Sequence, residues 1–186
     1  MYRKILTGLI ALSVIPAIAS ANTNLFQKIK NAKMNSVIKK TTGYLLRKWT
    51  ENDEITLLPP QVIPIAAGTT VYGVCGSFMS GDDIGGSSYC PRTNTIFLVP
   101  EQLKGFEKEF GPSTTAYVIA HEFGHAIQRA YKVRLPNPQK ELQADCMAGV
   151  MIHEGSEELG ITREDTLAMS KVAYSIGDPT HGTGEQ

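Results

Sequence analysis

Apolar and polar positions divide this chain into a helical opening, a short strand-rich middle and a helical second half. From Asn24 to about Trp49, Leu25, Ile29, Val37, Ile38, Leu45, Leu46 and Trp49 fall on one face with lysines between them. That spacing predicts amphipathic helix, with Gly43 a candidate break into two. Pro59, Pro60 and Pro64 then favour extended backbone. Val62-Ile63, Thr69–Val74 and Thr95–Val99 read as short strands rich in branched residues, separated by turns at Ala67-Gly68, between Cys75 and Cys90, and at Arg92–Asn94.

After Pro100 the periodicity becomes helical. Glu101–Phe110 predicts a helix closed by Gly111-Pro112. Ser113 is positioned to cap a second helix that reaches about Tyr131. The prolines at 136 and 138 require a loop, and Lys140 to about His153 predicts a third helix. A fourth starts at Thr162, with Asp165 three residues on as in a capping box, and stops at Gly177. No internal repeat is present. The order of elements predicts a single α+β domain, mainly helical, with a small antiparallel sheet.

The second helix carries His121-Glu122-Phe123-Gly124-His125. Residues four apart share a helix face, so both imidazoles can reach one ion, and zinc favours such nitrogen ligands. Glu122 adjoins the first ligand and is placed to take a proton from a metal-activated water. Val118-Ile119-Ala120 and Ala126-Ile127 keep other charges off the helix around it, and Gly124 leaves room for a neighbouring backbone. A catalytic zinc commonly takes three protein ligands. Glu141 is the candidate third, and Asp145, one turn on, is placed to accept the free ring N–H of a ligand histidine, His121 first among them. His153 reads as a helix-end residue. His181, in a run of small residues, is a candidate donor to the developing oxyanion, and Tyr89, Tyr131 and Tyr174 compete for that role.

Residues 1–21 read as a secretory signal peptide: Arg3 and Lys4, an apolar run from Ile5 to Ala19, and cleavage after Ala21. Its removal leaves 16 basic and 18 acidic side chains in 22–186, a formal charge of −2. The expected product is an exported chain, periplasmic or secreted, without stable membrane insertion. The balanced charge gives no electrostatic footprint for nucleic acid. Export permits a disulfide between Cys75 and Cys90 across their Gly/Ser-rich loop; two free thiols are the other possibility. Cys146, on a helix, reads as a small buried side chain.

These segments resemble the bacterial "putative neutral zinc metallopeptidase" family, within the gluzincins. The resemblance is carried by Val74–Gly76, Tyr89–Pro91, Ala116–Gln128, Glu141–Val150, Ser175–Asp178 and Thr180–Gln186. It implies a zincin-like fold, hydrolysis of peptide bonds in peptide or protein substrates, and one Zn²⁺ held by His121, His125 and Glu141. It also lends weight to a role for His181 and suggests that Cys75 and Cys90 act together. The residues alone leave two other functions open: a secreted binding protein stabilised by zinc, and a metallohydrolase of cell-wall amides.

Overall fold

The computed structural model describes residues 35–71, 75, 79–81 and 84–186. The expected signal peptide and the first part of the opening helix lie outside that range. Helix α1 (Ser36–Glu51) is capped by Asn35, whose side chain accepts from the Ile38 N–H. It runs through Gly43 without a break. Thr41, Thr42, Tyr44 and Leu45 are buried on either side of that glycine, and this packing offsets the ~1 kcal/mol that a helical glycine costs relative to alanine.

Among the described residues five short strands follow: β1 (Gln61–Pro64), β2 (Thr70–Val71), β3 (Met79–Ser80), β4 (Ser87–Cys90) and β5 (Thr95–Leu98). β2 and β3 form a separate two-stranded ribbon. The three-stranded sheet has the order β1-β5-β4, with β4 antiparallel and β1 parallel to β5. The sheet is therefore mixed rather than wholly antiparallel. The chain between β1 and β5 is long enough for the return to the same end that parallel pairing requires. The β4–β5 hairpin turns through Asn94, whose φ is 53°. Central β5 is buried along its whole length: Ile96 and Leu98 join the main core, while Phe97 packs with Ile65, Cys90 and Val99 on the other face. Cys90, at the end of β4, is disulfide-bonded to Cys75 with a Cα–Cα distance of 5.6 Å.

The helical half comprises α2 (Pro100–Phe110), α3 (Ser113–Ala130), α4 (Gln139–Glu154), α5 (Ser156–Leu159) and α6 (Arg163–Ile176). Pro100 opens α2 at a position where no N–H is needed. Ser113 lies inside α3 and makes no capping hydrogen bond, contrary to the sequence expectation. The Thr162–Asp165 capping box of α6 is complete. Helix α3 is the hub: Ile119, Phe123 and Ala126 pack into a core shared with Leu45 and Trp49 of α1, Ile152 of α4 and Val172 of α6. Among the described residues, no helix is long and apolar enough to cross a membrane.

Candidate metal centre

With the core stripe of α3 buried, its adjacent stripe faces a cleft. Tyr117, His121, His125 and Gln128 recur at helical spacing along it. Helix α4 approaches closely where α3 carries Gly124: a Cβ there would stand 2.9 Å from the Ala144 carbonyl oxygen and 3.0 Å from Ala144 Cα. This contact brings the first turn of α4 over the two histidines, as the sequence expectation for Gly124 requires.

The result is a convergent donor set. His121 Nε2 lies 3.3 Å and His125 Nε2 2.9 Å from Glu141 Oε2. The imidazoles meet edge to face, with centroids 4.6 Å apart. One ligand atom from each of the three residues lies within 4.8 Å of the others. Tetrahedral ligands bound at about 2.0–2.1 Å stand about 3.4 Å apart, so the spacing fits one small ion. Among the described residues this is the cluster of His, Cys, Asp and Glu that can hold a metal.

Hydrogen bonding fixes the imidazole tautomers. Asp145 Oδ1 lies 2.6 Å from His121 Nδ1 and accepts a 2.6 Å bond from the Tyr117 hydroxyl. A carboxylate can only accept, so Nδ1 of His121 is protonated, and Nε2, which faces Glu141, is the nitrogen left to bind a metal once its own proton is released. Gln128 does the same for His125. Its Nε2 donates to the Lys140 carbonyl at 2.6 Å and to Gln143 Oε1 at 3.1 Å, so its Oε1 faces His125 Nδ1, 2.9 Å away. Both Nε2 atoms then face Glu141, where they donate to its carboxylate in the metal-free protein and would offer their lone pairs to an ion. Partners of this kind orient metal ligands and raise their basicity.

The electrostatics agree. Burial opposes ionisation of Glu141, but hydrogen bonds from His121 and His125 outweigh it and hold the carboxyl well below the usual range. Burial likewise opposes charge on His121; its bonds to Asp145 and Glu141, with Glu122 nearby, raise its pKa in the metal-free protein to about 10. Burial and the bond to Asp145 push Tyr117 far above its ordinary value, so it remains a donor.

Glu122 is buried beside this cluster. Its Oε1 accepts a 2.7 Å hydrogen bond from Ser87 Oγ on β4, while no described residue donates to Oε2. His121 and Glu122 border two clefts, of about 620 and 590 Å³. The first continues past Tyr89 and Arg129; the second is walled by Phe106, Val118, Leu142 and Ile176. His181 borders both. It is exposed, its Nδ1 3.0 Å from Asp178 Oδ2. Gly182 seats this segment against Leu142, where a side chain would collide with Leu142 Cδ2.

Other sequence-level candidates sit apart from the donors. The Tyr89 hydroxyl donates to Asn94, and that of Tyr131 to Glu54. Tyr174 is exposed at the edge of the second cleft. His153 is exposed at the end of α4. Cys146 is exposed and not buried; it follows Asp145 on the open side of α4, whereas Ala144 and Ala148 take the inward positions. β5 is flanked on both sides and has no open edge; β4 is the edge strand that lines the cleft. Sequence reasoning passed over Ser87, Tyr117 and Gln128. Helical spacing holds a signal for two of them: Tyr117 lies one turn before His121, and Gln128 three residues after His125. Ser87 has none, because its place depends on β4 pairing.

The chain is 29% identical over 189 residues to "Uncharacterized protein YpfJ" of Escherichia coli strain K12, a match covering 83% of this chain and 64% of the relative. It is 29% identical over 119 residues to "Uncharacterized protein Rv2575" of Mycobacterium tuberculosis, covering 50% of this chain and 40% of the relative. The chain thus spans less than two thirds of the length of these curated relatives. No solved structure matches it significantly. The family model described as "Putative neutral zinc metallopeptidase" matches residues 19–184, extending well before the segments in which the resemblance is legible by eye. With that match over most of its length and a His-His-Glu donor set at its centre, the chain belongs to this zinc metallopeptidase family.

Proposed function

We propose that this protein is a zinc-dependent peptidase in which His121, His125 and Glu141 hold one zinc ion and Glu122 is the general base. The observation that carries this reading is the placement of Glu122: buried, adjacent to His121, and steadied at Oε1 by Ser87, while no described residue donates to Oε2. Bound at the three ligands, zinc would supply Lewis acidity, lowering the pKa of a water and polarising a carbonyl. Glu122 takes the proton of the attacking water and passes it to the leaving amine. Ser87 restricts rotation of the carboxylate, so the free oxygen remains directed at the cleft. His181 is the group we assign to the oxyanion, since it borders both clefts, whereas the Tyr89 and Tyr131 hydroxyls already donate elsewhere and Tyr174 borders the second cleft alone. A substrate backbone is read as lying along the edge of β4, with an apolar side chain in the second cleft.

We read the mature chain as exported, to the periplasm or the medium. The pattern of residues 1–21 and the Cys75–Cys90 disulfide support this. Hydrolysis of an unfolded protein by the zinc-reconstituted chain, beside the chelated chain, tests the reading. Cleavage that appears only with metal supports it; equal cleavage in both refutes it.

A further inference from the structure

The chain as a whole is electrically balanced, with 18 basic and 18 acidic side chains. The first cleft is not. Arg129, Lys132, Arg134 and Lys140 all line it. Among the described residues its carboxylates are Glu122 and Glu141, both committed to the centre. None of the four cations makes an ion pair with a carboxylate among the described residues.

Their convergence follows from the fold. Arg129 is one turn after His125 on α3, so the same stripe that presents the ligand presents the guanidinium. Lys132 and Arg134 lie on the exposed segment that leaves α3. Lys140 begins α4, and its carbonyl is tied to α3 through Gln128. Helix stability does not account for the group. A cation suits the last turn of α3, where Arg129 stands, but Lys140 occupies the first turn of α4, where the helix dipole disfavours positive charge. Like charges with no carboxylate partner among the described residues, gathered in one concave wall, favour an anionic ligand.

We propose that this cleft selects carboxylate-bearing peptide segments, so that the preferred substrates are acidic on the side of the scissile bond lying toward Arg129, Lys132, Arg134 and Lys140. The proposal rests on the peptidase reading for turnover, but not for binding. The carboxylates are Asp and Glu side chains or a free peptide C-terminus, which share the same recognition chemistry.

The test uses the zinc-loaded protein with matched peptides carrying Glu or Lys around a fixed cleavable core, each with a free or an amidated C-terminus. Acidic peptides are expected to be cleaved with kcat/KM roughly tenfold or more above their lysine counterparts at low salt, mainly through KM. The ratio is expected to shrink toward one as added salt shortens the screening length to about 3 Å near 1 M. Lys132→Glu with Arg134→Glu should abolish or invert the preference, whereas Lys104→Glu, exposed on α2 outside the cleft, should leave it intact. A preference that persists after amidation assigns the side chains; one lost on amidation assigns the terminal carboxylate. Binding of the same peptides to zinc-loaded Glu122→Gln, followed by fluorescence anisotropy, separates the two claims. If the wild-type protein cleaves nothing while this variant binds acidic over basic peptides, hydrolysis fails and the cleft assignment stands. Binding and cleavage indifferent to peptide charge, or unchanged by the double reversal, overturn the proposal.

Discussion

Gly124 is the point at which packing and metal binding are most tightly joined, and Gly124→Ala probes both. Intrinsic helix propensity favours the change by about 1 kcal/mol. The structure opposes it. The new Cβ would meet the Ala144 carbonyl oxygen at 2.9 Å and Ala144 Cα at 3.0 Å, both backbone atoms, and Ala144 Cβ at 3.2 Å. Relief requires α3 and α4 to separate by roughly 0.5 Å, and overpacking of this kind costs about 1–3 kcal/mol. Net destabilisation of about 1 kcal/mol is expected. The same separation would pull Glu141 from His121 and His125, now 3.3 and 2.9 Å apart. Metal sites tolerate ligand displacements of only about 0.2 Å, so zinc affinity should fall by roughly tenfold or more. Adding Ala144→Gly removes only the side-chain contact and should rescue little. Urea unfolding of the chelated protein gives the first quantity; zinc competition against a chromophoric chelator gives the second. A variant that is more stable than wild type and binds zinc equally well would refute the packing argument.

Asp145→Leu and Gln128→Leu should each weaken zinc about 10–100-fold, read by the same competition, because each removes the acceptor that fixes a ligand tautomer. Zinc uptake at pH 7–8 should release about one proton, measurable by calorimetry in buffers of different ionisation enthalpy, since His121 with a metal-free pKa of about 10 must give up its proton to bind. The sign for the metal-free fold follows from the same shift: the stabilisation is fully present below the unfolded pKa of ~6.5 and is lost as pH rises through about 10. Replacing both Cys75 and Cys90 by serine should cost about 3 kcal/mol in chemical unfolding of the non-reduced protein, the value for a loop of this length.

The metal ligands were legible because each pair of functional residues sits on one helix. His121 and His125, like Glu141 and Asp145, are four apart, and helical spacing alone places each pair on a common face. What joins the pairs is the Gly124–Ala144 contact, which the sequence signals by a small residue at the right position. Features built across elements were not legible. Ser87 lies in a run that reads as a flexible Gly/Ser loop, and only pairing with buried β5 makes it a strand. The parallel placement of β1 depends on a chain return that no local pattern announces. Cys146 reads as buried from its apolar neighbours, yet α4 packs through Ala144 and Ala148 and turns Cys146 outward. The four cations of the first cleft come from a helix end, a loop and the next helix start, so composition averages them away.

On the reading proposed above, Glu122 moves protons while His121, His125 and Glu141 hold the metal. The most direct measurement pairs zinc content with peptide cleavage for the wild-type protein and Glu122→Gln. Both should carry one zinc per chain, and kcat/KM of the variant should fall about 10²–10⁴-fold. Equal zinc content with cleavage at the wild-type rate in the variant would contradict it.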